Sequence, residues 1–237
     1  AIDLYSRSLR QLPDDADIHW NQGLALLLKG DLKRGFEAYE WRSRRRSWKP
    51  SCHHPETAKK WKGQTLDSET LLIHCEQGLG DTLQFSRYLP MVKERVERVI
   101  IQVQAPLIPV LAACDGVDEI VPMPADGLPN QSYSNYISLM SLPMIFGTTL
   151  DDIPPSIDLS PVTTEMNQKW SERITPTGKR VGIVWSGNQN HENDLNRSCH
   201  LNDFNTVAGI EGVHLYGLQK GEGLAQLNAN NESILVD

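Results

Sequence analysis

The residues with the most chemistry to offer lie between Leu71 and Phe85. There an apolar run, Leu71-Leu72-Ile73, leads through His74 and Cys75 into Glu76-Gln77-Gly78-Leu79-Gly80-Asp81-Thr82-Leu83-Gln84-Phe85. The run has strand length, and two glycines two apart make a tight turn after it. Asp81 and Thr82 stand where a helix starts, and Leu83, Phe85, Tyr88 and Leu89 give that helix an apolar face. A strand entering a helix through such a turn presents backbone N–H groups and the positive end of the helix dipole to a ligand. It also sets the Asp81 carboxylate at the carboxyl end of a sheet, where open α/β sheets bind ligands. Asp81 is therefore the first candidate for proton transfer, with helix capping as its competing role.

Other reactive residue types carry less. Cys52-His53-His54 looks like a ligand cluster, but no second pair stands at a matching distance, so a surface loop is expected and no metal. The four cysteines, Cys52, Cys75, Cys114 and Cys199, are scattered without a C-x-x-C pair, which fits neither a disulfide framework nor a zinc spacing. His74 within a strand is expected to be a satisfied core histidine, while His191 and His214 give no signal. Arg42, Arg44, Arg45, Arg46 and Lys49 read as a solvated helix face. A net charge of −7 argues against a nucleic-acid module. No apolar stretch reaches membrane-spanning length, the best being five residues, Leu24 to Leu28. With no visible signal peptide, a cytoplasmic protein without a membrane span is expected.

The elements that must position these residues fall into segments. At 237 residues with 39% hydrophobic and 22% charged content, the chain is of globular type, with one large or two small domains. In the first fifty residues, Ala1-Ile2-x-x-Tyr5 recurs as Gly35-Phe36-x-x-Tyr39, an offset of 34. Trp20, Gly23, Leu24, Ala25, Leu28 and Gly30 follow helical spacing, with small residues where two helices would touch. Period, core and turn resemble the tetratricopeptide repeat, with helices expected near 1–11, 16–29 and 32–46 inside a segment 1–48. Residues 49–68 read as a linker that Trp61 docks onto the next domain. From 69 to 160 strands alternate with helices: strands at 70–75, 98–104, 117–121 and 136–139, and helices at 81–95, from Pro106 to Ala113 and from Ser141. This alternation predicts right-handed βαβ units and a parallel sheet. Asp151-Asp152 reads as a turn and helix cap. Pro154, Pro155 and Pro161 mark a crossover, with 161–178 an interdomain segment carrying a helix near 162–174. A second α/β pattern runs from 179 to 237, with strands at 180–185, 213–218 and 233–236 and a helix near 201–209. So few strands do not close a doubly wound domain, and this half is expected to be incomplete.

Glu76 to Phe85, Val181-Gly182-Ile183-Val184-Trp185-Ser186-Gly187-Asn188 and Arg197-Ser198 together resemble bacterial tetratricopeptide proteins that carry a glycosyltransferase-like domain. That domain is similar to the family 9 glycosyltransferases, the lipopolysaccharide heptosyltransferases, whose GT-B fold pairs two Rossmann-like halves. More distantly, the order of parts resembles protein O-GlcNAc transferases. The resemblance covers essentially the whole chain. It implies an α/β protein with an N-terminal all-α helical-repeat segment, a Rossmann-like parallel sheet of GT-B type and an incomplete second Rossmann-like half. It implies Asp81 as general base on an acceptor hydroxyl and Arg197 as a donor-diphosphate contact where the family has lysine. The family's later glycine-rich nucleotide motif would lie beyond Asp237.

Glycosyl transfer needs the acceptor hydroxyl deprotonated as the sugar–phosphate bond breaks. The charge growing on the leaving diphosphate must be met by fixed positive groups or N–H donors. Donor-side candidates are Ser186, Gly187, Asn188, Arg197, Ser198 and Lys220, facing Asp81 across an interdomain cleft; acceptor-side candidates are Gln77, Gly78, Gly80 and Gln84, with Glu76 and Gln77 also read as ordering the loop. No D-x-D metal motif stands out, so metal-independent transfer without a cofactor is expected, the nucleotide-sugar being the donor substrate. The acceptor would be a saccharide or a protein, and the helical segment would present it or a partner protein. The rival reading is a tetratricopeptide interaction scaffold with an inactive glycosyltransferase-like domain. A nucleotide-binding oxidoreductase is disfavoured, since the turn has G-x-G-D instead of G-x-G-x-x-G.

Overall fold

The computed structural model describes residues 1–125, 127, 129–159, 162–174, 177–189, 193–227 and the backbone of 235–236. Pro161, His191, Ser233 and Ile234, on which some of the sequence expectations fall, lie outside the described residues. The chain divides into two units, Ala1–Pro161 and Val162–Asp237, and each is treated by itself.

The first unit opens with helices α1 (Ile2–Gln11), α2 (Ala16–Lys29) and α3 (Leu32–Tyr39). Asp15 caps α2 by accepting from the Ile18 N–H at 2.9 Å. Gly30 ends it at φ 89°, a left-handed conformation that a side chain would disfavour. Helices α2 and α3 pack backbone to backbone, since a Cβ on Gly23 would lie 2.9 Å from the Tyr39 nitrogen. The helix expected to run to 46 stops at Tyr39 and tightens into a 3-10 turn, Glu40–Arg44.

Beyond these helices is a five-stranded parallel sheet in the order β1-β5-β2-β3-β4, built from β1 (Lys59–Lys60), β2 (Leu66–His74), β3 (Val96–Val103), β4 (Glu119–Pro122) and β5 (Asn135–Ser138). Strand β2 is central. Leu71, Ile73, Val99, Ile101 and Ile137 fill one side of the sheet, and Leu72, Ile100, Val121 and Cys52 the other. Burial on both faces explains why the strands read as apolar runs instead of alternating. The segment expected to be a plain linker contains β1, a two-lysine edge strand, and its last residues open β2. Trp61 is fully buried, and its Nε1 donates to the Gln64 carbonyl at 2.7 Å.

The helices are shorter than the sequence pattern suggests, and prolines are the reason. The expected 81–95 helix is α4 (Leu79–Phe85), a 3-10 turn Ser86–Tyr88, and α5 (Leu89–Lys93). Pro90 has no N–H to donate to the carbonyl four residues back, so the ladder breaks there. Likewise a 3-10 turn Ala105–Leu107 precedes α6 (Ile108–Leu111), and a turn Leu139–Ser141 precedes α7 (Leu142–Phe146).

The second unit holds α8 (Thr164–Arg173), β6 (Lys179–Ile183), a 3-10 turn Leu201–Phe204 leading into α9 (Asn205–Ala208), β7 (Val213–Gly217) and β8 (Leu235–Val236). Its three strands are parallel in the order β6-β7-β8. Ile183, Trp185, Leu201 and Leu215 form its core.

Candidate functional site

Asp81 is the third residue of α4, at the carboxyl end of the central strand. Its Oδ2 accepts from the Gly78 N–H at 3.0 Å, so one carboxylate oxygen closes the turn while Oδ1 has no hydrogen-bond partner among the described residues. Gln77, Gly78, Gly80 and Gln84 are all exposed, and a side chain at Gly80 would meet nothing within 4 Å. The turn is stapled from two sides. Gln77 Nε2 donates to the Tyr39 hydroxyl at 2.7 Å, and Gln104 Nε2 donates to the Gln77 carbonyl at 2.6 Å while its Oε1 accepts from Thr82 Oγ1 at 2.9 Å. Gln77 therefore orders the loop, one of the two roles its position suggested.

Glu76 is held more tightly still. Its side chain is 2% exposed and Oε1 accepts from Arg42 Nε at 3.0 Å, from Arg42 Nη2 at 2.5 Å and from the Ser138 hydroxyl. Arg42 also donates to Glu40 Oε1 at 2.6 Å and to Ser141 Oγ at 3.0 Å, and Lys60 Nζ donates to Glu40 Oε2 at 3.0 Å. Burial alone would lower the Arg42 pKa, but the Glu76 and Glu40 carboxylates outweigh it and raise it. Burial likewise works to raise Glu40, and Arg42 and Lys60 hold it below the usual carboxylate range. The basic run is thus no uniform solvated face. Arg42 is 4% exposed, and Arg45 pairs with Asp17 at 2.5 Å and lies 3.8 Å over the Trp20 ring. The Arg42–Glu76 pair spans 34 positions of sequence, so no local pattern announces it.

Beside this ion-pair network is a cavity of about 210 Å³. His74 lines it from the end of β2, and His54 from the loop before β1, its ring stacked on Tyr136 at 3.6 Å. The two imidazoles are 4.9 Å apart. Burial, with the neighbouring His54, Arg42 and Lys60, pushes the His74 pKa down to about 3; burial and His53 push that of His54 down to about 4. Both are neutral at pH 7. His74 is not the satisfied core histidine that its strand position suggested, because its Nδ1 has no partner among the described residues. His54 Nε2 and both amide atoms of Gln102, the β3 residue in register with His74, share that condition. An unpaired buried polar group costs about 1–3 kcal/mol, so four such atoms on one face of the sheet call for an explanation. Cys52, on the same face, has its thiol pushed up to about 11 by burial. Among the described residues no group of three or more His, Cys, Asp or Glu side chains could hold a metal ion.

In the second unit the structure gathers the donor-side candidates around the end of β6. The Ser186 N–H donates to Gln219 Oε1 at 2.8 Å, and the Gly187 N–H to Ser198 Oγ at 2.9 Å, so both backbone donors are engaged. Ser198 Oγ in turn donates to Asp194 Oδ1 at 2.7 Å. Arg197 reaches this turn, its Nη2 4.0 Å from where a Gly187 Cβ would stand. Lys220 is exposed and adjoins Gln219, whose Nε2 donates to the carbonyls of Ser186 and Lys220. Asn188 is exposed on the same turn. Gln219 and Asp194, which no sequence motif singles out, are what shape this turn; the long gap between Ser186 and Gln219 hides the connection.

No helix among the described residues is long and apolar enough to cross a membrane. No family model matches the chain. Among curated proteins, Protein FlbA of Caulobacter vibrioides is 38% identical over 84 residues, a span amounting to 35% of this chain and 14% of FlbA. No solved structure matches.

Proposed function

We propose that the chain belongs to a metal-independent glycosyltransferase that moves a sugar from a nucleotide-sugar to a saccharide or protein acceptor. The tetratricopeptide character of residues 1–48, the GT-B arrangement and the kinship with family 9 glycosyltransferases are parts of this proposal. One observation carries it: the Asp81 carboxylate stands on an exposed turn at the carboxyl end of the central strand of an all-parallel sheet, with Oδ2 anchored and Oδ1 left open. An anchored carboxylate of this kind suits a general base. In this reading Asp81 takes the proton of the acceptor hydroxyl while the sugar–phosphate bond breaks, and Arg197 and Lys220 meet the charge on the departing diphosphate.

The test is to titrate UDP, GDP and ADP calorimetrically into the chain and into the full gene product, then to follow nucleotide release from the matching nucleotide-sugars. Asp81→Asn should lower turnover by about 10²–10⁴-fold, the usual contribution of a positioned base, with nucleotide affinity unchanged. Arg197→Ala should weaken nucleotide binding. Unchanged turnover and unchanged binding in both variants would sink the assignment.

A specific observation favours a second reading, an interaction scaffold with an inactive glycosyltransferase-like domain. Asp81 Oδ2 caps its own turn, and the N–H groups of Ser186 and Gly187 are already engaged within the protein. In that case Leu4 of α1 and Leu24 and Leu28 of α2 are exposed apolar residues open to a partner, whereas Tyr39 is 6% exposed. Absence of nucleotide binding by the full gene product would favour this reading.

A further inference from the structure

A groove at the amino end of the five-stranded sheet stands apart from the proposed transfer chemistry. Glu94 and Asp115, which line it, precede β3 and β4, whereas Asp81 follows β2; in a parallel sheet these are opposite ends. The groove holds about 510 Å³, within the roughly 300–1,000 Å³ of ligand sites. Pro90 and Met91 of α5 and Ile153, Pro155 and Ile157 after α7 give it apolar walls. Arg87 faces four carboxylates in the lining, Glu94, Asp115, Asp152 and Asp158, which leaves a net charge of −3. None of these five forms an ion pair among the described residues, whereas Glu40, Glu76, Asp118 and Glu119 each meet an arginine or lysine. The wall from Ile153 to Asp158 is neither helix nor strand, and Pro154 and Pro155 disfavour helical backbone at the residues before them. The N–H groups of Ile153, Ser156, Ile157 and Asp158 donate to nothing among the described residues. An extended peptide answers such a run, its carbonyls accepting from the main chain while alternate side chains enter the groove. A polyamine would match the carboxylates and leave those donors unanswered, and an anionic segment would be repelled.

We infer that this groove docks an extended segment of a partner protein in which lysine or arginine alternates with aliphatic residues. The segment's carbonyls meet the main chain of residues 153–158, its cations meet the four carboxylates, and its aliphatic side chains lie against Met91, Ile153 and Ile157. Every residue involved belongs to the first unit, so the site is complete within it. The site is separate from the proposed function, because neither Asp81 nor a nucleotide takes part in it.

The experiment uses the 237-residue chain with ¹³C in its isoleucine and methionine methyl groups and ¹⁵N in its backbone. The methyl resonances are assigned with Met91→Leu, Ile153→Val and Ile157→Val. The probe is the capped peptide Lys-Leu-Lys-Val-Lys-Leu-Lys, and Glu-Leu-Glu-Val-Glu-Leu-Glu, Lys-Ser-Lys-Ser-Lys-Ser-Lys and spermidine are titrated in parallel. The probe should shift the Met91, Ile153 and Ile157 methyls saturably and move the Ser156 and Ile157 amide protons downfield, and the other three should bind at least about tenfold more weakly. Glu94 and Asp158 are exposed, so Glu94→Lys combined with Asp158→Lys should leave the fold intact and weaken the probe about tenfold, the effect of two reversed rim charges. Ile153→Ser, at a side chain 43% exposed, should weaken it severalfold by removing apolar wall. The inference is overturned if the probe moves none of the three methyls, if the Lys-Ser peptide or spermidine binds as well as the probe, or if both variants bind as the parent does. Either result leaves the transferase reading untouched, since no nucleotide or sugar is present.

Discussion

Arg42 and Glu76 show what a single pair of residues commits the fold to. Both are almost wholly buried, and the guanidinium satisfies Glu76, Glu40, Ser138 and Ser141 together. Removing one partner leaves the other charge buried and unmatched, which costs far more than the pair contributes when intact. Arg42→Met should therefore lower stability by about 3–5 kcal/mol in urea titrations, and Arg42→Lys should recover little because a point charge cannot replace the fork. The histidines add a pH dependence with a definite sign. His74 titrates near 3 when folded and His54 near 4, both below the ordinary 6.5. Below pH 6.5 the unfolded chain takes up protons that the folded one refuses, so their stabilisation is complete above 6.5 and is lost as pH falls toward 3. The lowered Glu40 acts in the same sense at more acid pH. The urea midpoint should fall between pH 6.5 and 4, and His74→Phe should flatten that fall; an equal fall in the variant would remove His74 as its source. Little of this was legible in the sequence. Asp81 stood out because strand, glycine turn and helix start are contiguous. Arg42, Glu40 and His54 gain their meaning only when distant segments meet.

Elements were easier to read than side chains wherever local pattern and tertiary demand agreed. The apolar runs of β2 and β3 coincide with burial on both faces of a parallel sheet, and the helix expected near 16–29 is α2, which Asp15 and Gly30 cap. Periodicity misled where it passed over prolines, since 81–95 keeps an apolar face through a backbone that Pro90 interrupts. It was silent for β1, because two exposed lysines have no pattern, although lysines are what an edge strand uses to discourage further pairing. Glycine spacing in the helical segment was informative for a steric reason. A methyl on Gly23 would press on the backbone of Tyr39, and one on Gly35 would lie 2.7 Å from Leu27 Cδ2. At Gly35 the Leu27 side chain can rotate away, leaving the Leu27 backbone nitrogen at 3.0 Å, whereas at Gly23 all three near atoms, at 2.9, 3.1 and 3.2 Å, are backbone. Gly23→Ala should thus cost about 1–3 kcal/mol by overpacking, and Gly35→Ala distinctly less. Equal melting temperatures for the two variants would mean that α2 and α3 slide apart freely.

At the scale of the whole molecule, the helical segment and the sheet share one unit, Ala1–Pro161. Tyr39 belongs to the sheet's apolar core, Trp20, Leu27 and Phe36 pack against it, and a few polar contacts cross the same seam. The Arg42 side chain bridges residues 34, 96 and 99 positions away, and Tyr39 holds Gln77 across the same seam. A tie of this kind makes distant backbone segments open together. In native-state hydrogen exchange, Arg42→Met should speed the amides of Gly78, Thr82 and Met140 along with those of the 3-10 turn that carries Arg42. These amides lie in three stretches of chain that this network joins. Helix α1, which has no buried residue, should exchange quickly in both proteins and serves as the internal reference. Acceleration confined to residues 40–45 would mean that the helical segment opens as a separate piece and that Glu76 is held by the sheet alone. Acceleration in all three stretches would make Arg42 the residue through which the helices set the turn bearing Asp81, so that anything bound against the helices would alter the carboxylate's position.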